Sequence, residues 1–275
     1  MAILERIDSA TTDHPDRWMD ILHEGQLQEF LKRNRLVSVY SRLHFLFGQE
    51  AFLSGYGQMI EEGVEVTLHL TLPPEEQFRR YHRGHRADVR KLRRRGFVCK
   101  EVGPECLDEF MDVFYSTLDR AGARRIFYAS KSHFEYLMSE MKDHIHLFAC
   151  KDGEKVACAG FVTECKGRIA AYRAGCSNEY RGSGVSKLLY DHVRLWGNSI
   201  GAGIFELGGG VDGARDSLYR FKMDFGGQEH VYSTWRYVAN REVYDDLCRQ
   251  AFVQAGTRPD DAYFPEYRSP SLKLG

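Results

Sequence analysis

A run of small residues at positions 181–186 has the composition of an anion-binding turn. It reads Arg-Gly-Ser-Gly-Val-Ser and stands between a predicted strand and a predicted helix. Backbone N–H groups in such a turn can converge on an anion, and the helix N-terminus adds unpaired donors and partial positive charge. Glycine also allows a pyrophosphate to come close. Ordinary strand–helix connections share this pattern. We assign phosphate binding to Arg181, Gly182, Ser183, Gly184, Val185, Ser186 and Lys187.

Lys222 is a candidate catalytic residue. It lies on a predicted helix that follows a short strand and the triple glycine at 208–210. A fixed cation can stabilise negative charge that develops on a reacting oxygen and so lower a barrier. A solvated lysine on the helix surface is the alternative.

Two further side chains could move protons near Lys222. Tyr219 lies one helical turn earlier on about the same face and could protonate a leaving group. Glu206 ends the short strand and could help to deprotonate an amine. A packing role for Tyr219, and a carboxylate bonded to backbone N–H groups of the glycine turn for Glu206, are the alternatives.

The stretch from Arg79 to Arg95 is strongly basic, with eight arginines and one lysine against a single aspartate. On one helix, five of these arginines share a face. They are Arg79, Arg83, Arg86, Arg90 and Arg93. Because the whole chain has a net charge of only -1, this face suits an anionic partner. A nucleotide-sugar diphosphate, a tRNA backbone and the 3′-phosphate of CoA all fit, and a solvated face paired to acids is the alternative. We assign substrate binding to Arg79, Arg83, Arg86 and Arg90.

Hydrophobic periodicity predicts the elements that position these residues. Residues 64–72 alternate as a half-buried strand, and a helix follows from Glu75 to Arg95, stopping at Gly96. Apolar helical faces recur over 105–121 and 131–142. Tight-turn pairs at 152–153 and 166–167 separate three strand-like runs, which predict an antiparallel meander. A helix from about 184, a strand at 204–207, a helix over about 216–225, a strand near 229–237 and a helix near 241–255 complete the order β-β-β-α-β-α-β.

Composition limits the class of protein. No apolar run approaches ~20 residues, and the first fifteen residues show no secretory leader, so we expect a cytoplasmic protein without a membrane span. The seven cysteines are odd in number and lack C-x-x-C spacing, so we expect mostly buried thiols rather than disulfides. The histidines show no metal-ligand spacing, and we expect no metal.

The run at 181–186 resembles motif A of the GNAT acyltransferases, [RQ]-x-x-G-x-[GA]. Arg181, Gly184 and Ser186 occupy the marked positions, and Ser186 departs from the usual Gly or Ala. The resemblance implies that the turn binds the pyrophosphate of acyl-CoA. It also implies that the strands before and after the helix splay, near residues 175–180, to admit the acyl group.

The segments 205–210 and 216–226 resemble the late motif of the Fem family, in which a helix carries a Phe-Lys pair. The matching residues are Phe221 and Lys222, and the resemblance implies that the lysine stabilises charge during acyl transfer. The basic stretch 83–91 and the tail 263–268 are similar to family segments as well. Fem enzymes take aminoacyl groups from tRNA, and their relatives include predicted acetyltransferases of polysaccharide synthesis. Full Fem enzymes have two GNAT-like halves, so the N-terminal one is abbreviated here.

These resemblances imply an α+β protein with the GNAT fold, a mixed and mostly antiparallel sheet flanked by helices. We expect an abbreviated N-terminal region with the basic helix at 1–100 and a GNAT domain at 101–275. The implied function is acyl or aminoacyl transfer to an amine by direct attack, with acyl-CoA or aminoacyl-tRNA as donor and a small-molecule or nucleotide-linked acceptor. Two alternatives are an acetyl-CoA-dependent N-acetyltransferase of a sugar or small amine, and a non-catalytic protein that binds RNA or another anion. The oligomeric state is left open.

Overall fold

The computed structural model describes residues 26–259 and 262–272, so the predicted absence of a leader falls on residues outside the described part. The chain divides into a larger unit, Val64–His230, and a smaller unit made of Met1–Gly63 and Val231–Gly275. The predicted division at residue 100 concerns homologous halves, which this division does not test, and it stays a prediction.

Eight strands and nine helices lie in the described residues. The strands are β1 (Ser38–Arg42), β2 (Gln58–His69), β3 (Val98–Val102), β4 (Ile145–Asp152), β5 (Lys155–Cys165), β6 (Arg168–Cys176), β7 (Ile204–Gly208) and β8 (Gln228–Val238). The helices are α1 (Gln26–Arg33), α2 (Glu50–Leu53), α3 (Pro74–Arg80), α4 (Arg83–Arg94), α5 (Leu107–Ala121), α6 (Lys131–Glu140), α7 (Val185–Ser199), α8 (Ser217–Met223) and α9 (Arg241–Ala255).

The predicted meander forms the centre of the larger unit. Strands β4, β5 and β6 pair antiparallel, and β3 adds to the outer edge of β4. The two connecting turns use backbone that favours glycine, with φ of +60° at Gly153 and +75° at Gly167. Strand β2 pairs antiparallel with β7 in the same unit, and β1 pairs antiparallel with β8 in the smaller unit.

One strand pair is parallel, and its two strands are paired over only part of their length. Strands β6 and β7 pair only over Arg168–Ile204, Ile169–Phe205 and Ala170–Glu206. Strand β6 then runs on to Cys176 while β7 ends at Gly208. The pairing therefore stops at Ala170 and Glu206, and the strands diverge toward the end of β6. The family resemblance places the splay near residues 175–180, which lie beyond the last paired residue of β6.

Apolar side chains cover both faces of the sheet. One core contains Val66, Ile169 and Phe205 together with residues of α4 and α7. The other contains Phe110 and Phe134, so the apolar faces predicted at 105–121 and 131–142 pack as helices against the sheet. A mixed sheet between helices is the α+β arrangement that was predicted.

The prediction of one continuous basic helix is wrong. The helix is interrupted, because α3 ends at Arg80 and α4 begins at Arg83. Tyr81 between them is extended (ψ 143°) and buried, and His82 caps α4 by accepting the N–H of Gly84. Arg79 therefore does not share a helical face with the arginines of α4.

A disulfide joins Cys99 on β3 to Cys150 on β4, which contradicts the expectation of unpaired thiols at these two positions. The spacing of 51 residues carries no signal, because the register of two strands brings these sulfurs together. The remaining cysteines are thiols. None of the helices in residues 26–259 and 262–272 has the length and apolarity that crossing a bilayer requires.

Candidate active site

The turn before α7 takes the shape that its glycines allow. Gly182 and Gly184 have φ of +74° and +85°, in the left-handed region, and Gly184 is the N-cap of α7. The hydroxyl of Ser183 accepts the N–H of Val185 at 3.2 Å. The turn is thus held by its own short hydrogen bonds.

The two glycines of this turn have open backbone donors. Among the described residues, no acceptor bonds the N–H of Gly182 or Gly184, whereas the N–H groups of Ser183 and Lys187 reach backbone carbonyls. Arg181 is exposed beside them. Open N–H groups, a helix N-terminus and a guanidinium together favour an anion at this place.

The basic helix α4 packs against the turn. A Cβ added to Gly184 would lie 2.8 Å from the Cβ of Asp88. The same aspartate accepts a hydrogen bond from the ammonium of Lys187 at 2.5 Å. Lys187 therefore joins the turn to α4, and its positive charge is shared with Asp88. Asp88 was missed as a site residue, although its place as the single acid between Arg79 and Arg95 was a usable signal.

Lys222 is buried, not solvated. It is 7% exposed, and its Nζ donates to the carbonyl of Gly209 at 2.5 Å. Burial lowers the pKa of Lys222 to about 8, while Glu65 and Asp216 act in the opposite direction. Gly208 has φ of +78°, and a Cβ there would lie 3.1 Å from Nζ, so the glycine turn makes room for the ammonium. Glu65 gave no signal in the sequence.

Phe221 and Tyr219 flank the lysine but have other partners. The ring of Phe221 packs against His85, Tyr190 and Phe225 in the core. The hydroxyl of Tyr219 donates to Glu229 at 2.6 Å, and this hydrogen bond raises the pKa of Tyr219. Arg215 also bonds Glu229 through two nitrogens. Asp216 caps α8 by accepting the N–H of Tyr219, as the sequence predicts.

Glu206 lies where the parallel pairing of β6 and β7 stops. Its side chain is 16% exposed and forms an ion pair with Arg168 at 3.4 Å. Phe205 and Leu207 on either side are buried in the core, so strand alternation places Glu206 on the other face of the sheet. A half-buried carboxylate at the place where β6 and β7 separate can accept a proton there.

The four arginines assigned to substrate binding have different environments. Arg79, Arg83 and Arg90 are exposed, and Arg90 lies 5.4 Å above the ring of Phe78. Arg86 is half-buried and donates to the carbonyls of Arg79 and Tyr81, which ties α4 to the end of α3.

A surface groove of about 620 Å³ runs along α4. Its lining residues are Ala87, Arg90, Arg93 and Arg94. Arg93 also bonds the buried carboxylate of Asp191 on α7 at 2.5 Å. The basic face of α4 therefore forms an ion pair with α7 and also presents an exposed cationic surface.

One group with metal-ligand side chains does come together in the described residues. Nitrogen or oxygen atoms of His82, His85 and Asp224 all lie within 4.8 Å of one another. Two of these histidine nitrogens already have hydrogen-bond partners. Nδ1 of His82 accepts the N–H of Gly84, and Nε2 of His85 bonds the carbonyl of Phe221. The bond from His85 to the carbonyl of Phe221 links α4 to α8, and the expected absence of a metal stays a prediction.

Comparisons with known proteins identify the family and the fold. The sequence profile described as an acetyltransferase (GNAT) domain matches residues 77–223, more than half of the chain. No curated protein matches the chain. A crystal structure of FemX is similar, with a TM-score of 0.68 and 14% identity over 82% of this chain and 79% of that one.

Two further solved structures are also similar. The C-terminal domain (DUF2156) of a putative lysylphosphatidylglycerol synthetase from Agrobacterium fabrum gives a TM-score of 0.56 and 14% identity, over 76% of this chain and 71% of that one. L-PGS from Bacillus licheniformis gives 0.55 and 17%, over 78% and 73%. At these identities the likeness establishes the fold, which is the GNAT fold predicted above. The chain belongs to the GNAT acetyltransferase-domain family, and it is an acyltransferase of that type.

Proposed function

We propose that the protein is an N-acyltransferase that holds acyl-CoA at the turn before α7 and transfers the acyl group to an amine by direct attack. The observation that carries the proposal is the pair of open N–H groups at Gly182 and Gly184, beside the N-terminus of α7. The Fem-like features of the sequence are compatible with transfer of an aminoacyl group. The proposal does not depend on which acyl group is transferred.

The donor's pyrophosphate accepts from the two open N–H groups, and Arg181 adds charge from the exposed side. Lys187 keeps the turn against α4 through Asp88. The acyl arm then enters the gap between β6 and β7, because backbone pairing there ends at Ala170 and Glu206.

Lys222 stabilises the oxyanion of the tetrahedral intermediate. With a pKa of about 8 it is mostly protonated at neutral pH, and an ammonium has three N–H donors. One of them is bonded to Gly209, which fixes the direction of the others. A preorganised cation in a buried place is more effective than one in water, because little solvent must reorganise as charge develops.

Glu206 takes the proton of the attacking amine, since it is a carboxylate at the place where β6 and β7 separate. Tyr219 can protonate the leaving thiolate only after its hydroxyl turns away from Glu229, because that hydroxyl otherwise donates its hydrogen to the Glu229 carboxylate. Phe221 supports Lys222 through its packing in the core.

Aminoacyl-tRNA is the second candidate donor. The observation that favours it is the cationic groove along α4, together with the exposed Arg83. A tRNA backbone would neutralise several such charges and bind with strong salt dependence. If CoA is the donor, the same arginines hold its 3′-phosphate or an anionic acceptor.

Thermal unfolding with each donor separates these candidates. Acetyl-CoA should raise the Tm in a concentration-dependent way, and 3′-dephospho-CoA should raise it less if α4 contacts the 3′-phosphate. Stabilisation by charged tRNA alone, lost at high salt, would assign the tRNA donor instead.

Turnover then tests the reaction itself. The protein is incubated with labelled acetyl-CoA or aminoacyl-tRNA and a panel of amines, and the product is identified by mass. An acylated amine is the expected result. Binding of RNA through α4 with no donor binding and no product would mean a non-catalytic protein on the same scaffold.

A further inference from the structure

Four cysteines stand side by side across four neighbouring strands of the larger unit. The strand registers place Cys99 opposite Cys150, Cys150 opposite Cys158, and Cys158 opposite Cys176, across β3, β4, β5 and β6. Cys150 and Cys158 are buried in the core that also contains apolar residues of α7, and Cys99 and Cys176 pack against that core.

The two outer pairs of this row differ. Cys99 and Cys150 form a disulfide, whereas Cys158 and Cys176 are thiols. The Sγ atoms of Cys158 and Cys176 lie 2.7 Å apart. A disulfide bond is about 2.0 Å long, so these sulfurs need to move by less than about 1 Å to join.

The two thiols are also chemically unequal. Cys158 is 1% exposed, and burial raises its pKa. Cys176 is half-buried, and the facing thiol of Cys158 lowers its pKa, with Arg120 and the hydroxyl of Ser186 acting in the same direction. A partly exposed thiol with a lowered pKa beside a buried thiol with a raised pKa is the arrangement of an attacking and a resolving cysteine.

The backbone holds the attacking cysteine in place. The N–H of Cys176 donates to the hydroxyl of Thr117 at 2.8 Å, and its carbonyl accepts from both Thr117 and Arg120. These bonds fix the end of β6 to α5. The sulfur of Cys176 therefore stays opposite that of Cys158.

We propose that Cys158 and Cys176 are a site of reversible oxidation that reacts with a low-molecular-weight disulfide such as oxidised glutathione. The Cys176 thiolate attacks one sulfur of that disulfide, forms a mixed disulfide and releases one glutathione thiolate. The Cys158 thiol then attacks Sγ of Cys176, forms the Cys158–Cys176 bond and releases the second glutathione, which takes the proton. Two protein thiols are oxidised and one external disulfide is reduced. This chemistry needs no acyl donor, so it stands apart from the proposed function.

Peptide mapping tests the site. The intact protein is reduced with dithiothreitol, desalted, treated with oxidised glutathione, alkylated, digested and examined by mass spectrometry. A cross-link between Cys158 and Cys176 is expected. Cys165 is the internal control, because it is an exposed thiol whose cross-strand neighbour is Arg168, and it should carry glutathione without a cross-link.

Two variants assign the roles. In Cys158→Ala the mixed disulfide should persist on Cys176, because the resolving thiol is gone. In Cys176→Ala the buried Cys158 should stay unmodified. The proposal is overturned if Cys176 stays reduced while Cys165 reacts, if wild type keeps glutathione on Cys176, or if Cys158 joins Cys150 instead. Should either variant fail to fold, the wild-type cross-link map alone decides.

Discussion

The glycine turn before α7 and the glycine turn before α8 look alike in sequence, yet different groups occupy them. In the first, the N–H groups of Gly182 and Gly184 have no acceptor within the described chain. In the second, the ammonium of Lys222 fills the space beside Gly208 and bonds the carbonyl of Gly209. One turn offers donors to an anion from outside, and the other offers an acceptor to a cation of the protein itself.

The difference shows that glycine in a turn is not by itself a sign of phosphate binding. What matters is the polarity of the backbone groups that the turn exposes, and whether a side chain of the protein already satisfies them. The open turn is suited to hold the donor, and the filled turn is suited to fix a catalytic charge. The following predictions test this division, beginning with the largest expected effect.

Lys222→Met should lower turnover by ~10²–10³-fold, because it removes the cation that faces the developing oxyanion. Donor affinity should stay within about threefold of wild type, because the donor's phosphates bind at the other turn. Turnover is measured with acetyl-CoA and an amine from the panel, and affinity by calorimetry.

Arg220→Met is the matched control, since Arg220 is an exposed cation on the same helix. It should keep wild-type turnover. Equal turnover in Lys222→Met and Arg220→Met would remove Lys222 from the mechanism, and loss of donor affinity in Lys222→Met would join the two turns into one binding site.

Gly184→Ala should lower the free energy of unfolding by about 2–3 kcal/mol, because left-handed backbone and crowding against Asp88 both oppose a Cβ. Gly182→Ala carries a similar φ but meets no atom within 4 Å, so it should cost only about 1 kcal/mol. Donor affinity should fall by about tenfold in Gly184→Ala and much less in Gly182→Ala. Denaturant unfolding and calorimetry provide both numbers, and equal losses in the two variants would refute the packing argument.

The buried ammonium predicts a pH dependence of stability. The pKa of Lys222 is about 8 in the folded protein and 10.5 when unperturbed. Between these values the unfolded chain holds a proton that the folded protein has lost, so this residue's contribution to stability rises with pH, by at most about 1.4 kcal/mol per pH unit. Below pH 8 both states are protonated and the full cost of burial is present. Subtracting the curve of Lys222→Met isolates this term, and a flat difference between pH 8 and 10 would show that the lysine is not desolvated.

Lys187→Met should have the smallest effect. Its ammonium is bonded to Asp88, so much of its charge is already compensated. We expect donor affinity to fall by no more than about threefold, the range of a partly exposed ion pair. A loss larger than that of Gly184→Ala would mean that the side chain, rather than the backbone, carries the binding.

Much of the fold follows from sequence periodicity. The meander, the helix after Gly184 and the strand at Ile204 all lie within a few residues of their predicted bounds. These elements have strong local signals, such as the pairs Asp152-Gly153 and Lys166-Gly167 at the turns. The family resemblance then assigned the two glycine turns.

Other features depend on tertiary contacts and leave no local mark. The break at Tyr81 and His82 interrupts a good helical pattern, because the N–H of His82 bonds the carbonyl of Asp224 far along the chain. Cys99 and Cys150 meet through strand register. The burial of Lys222 depends on the shape of the turn at 208–210, which a helical wheel does not contain.

The most direct test is to follow glycine amides by ¹⁵N-resolved NMR during titration with CoA. The account predicts large, saturable shifts of the Gly182 and Gly184 N–H signals, because the pyrophosphate accepts from both. The signal of Gly256 at the end of α9 should stay in place as a control. If Gly182 and Gly184 do not shift while CoA binds, the donor is held elsewhere and the central claim is wrong.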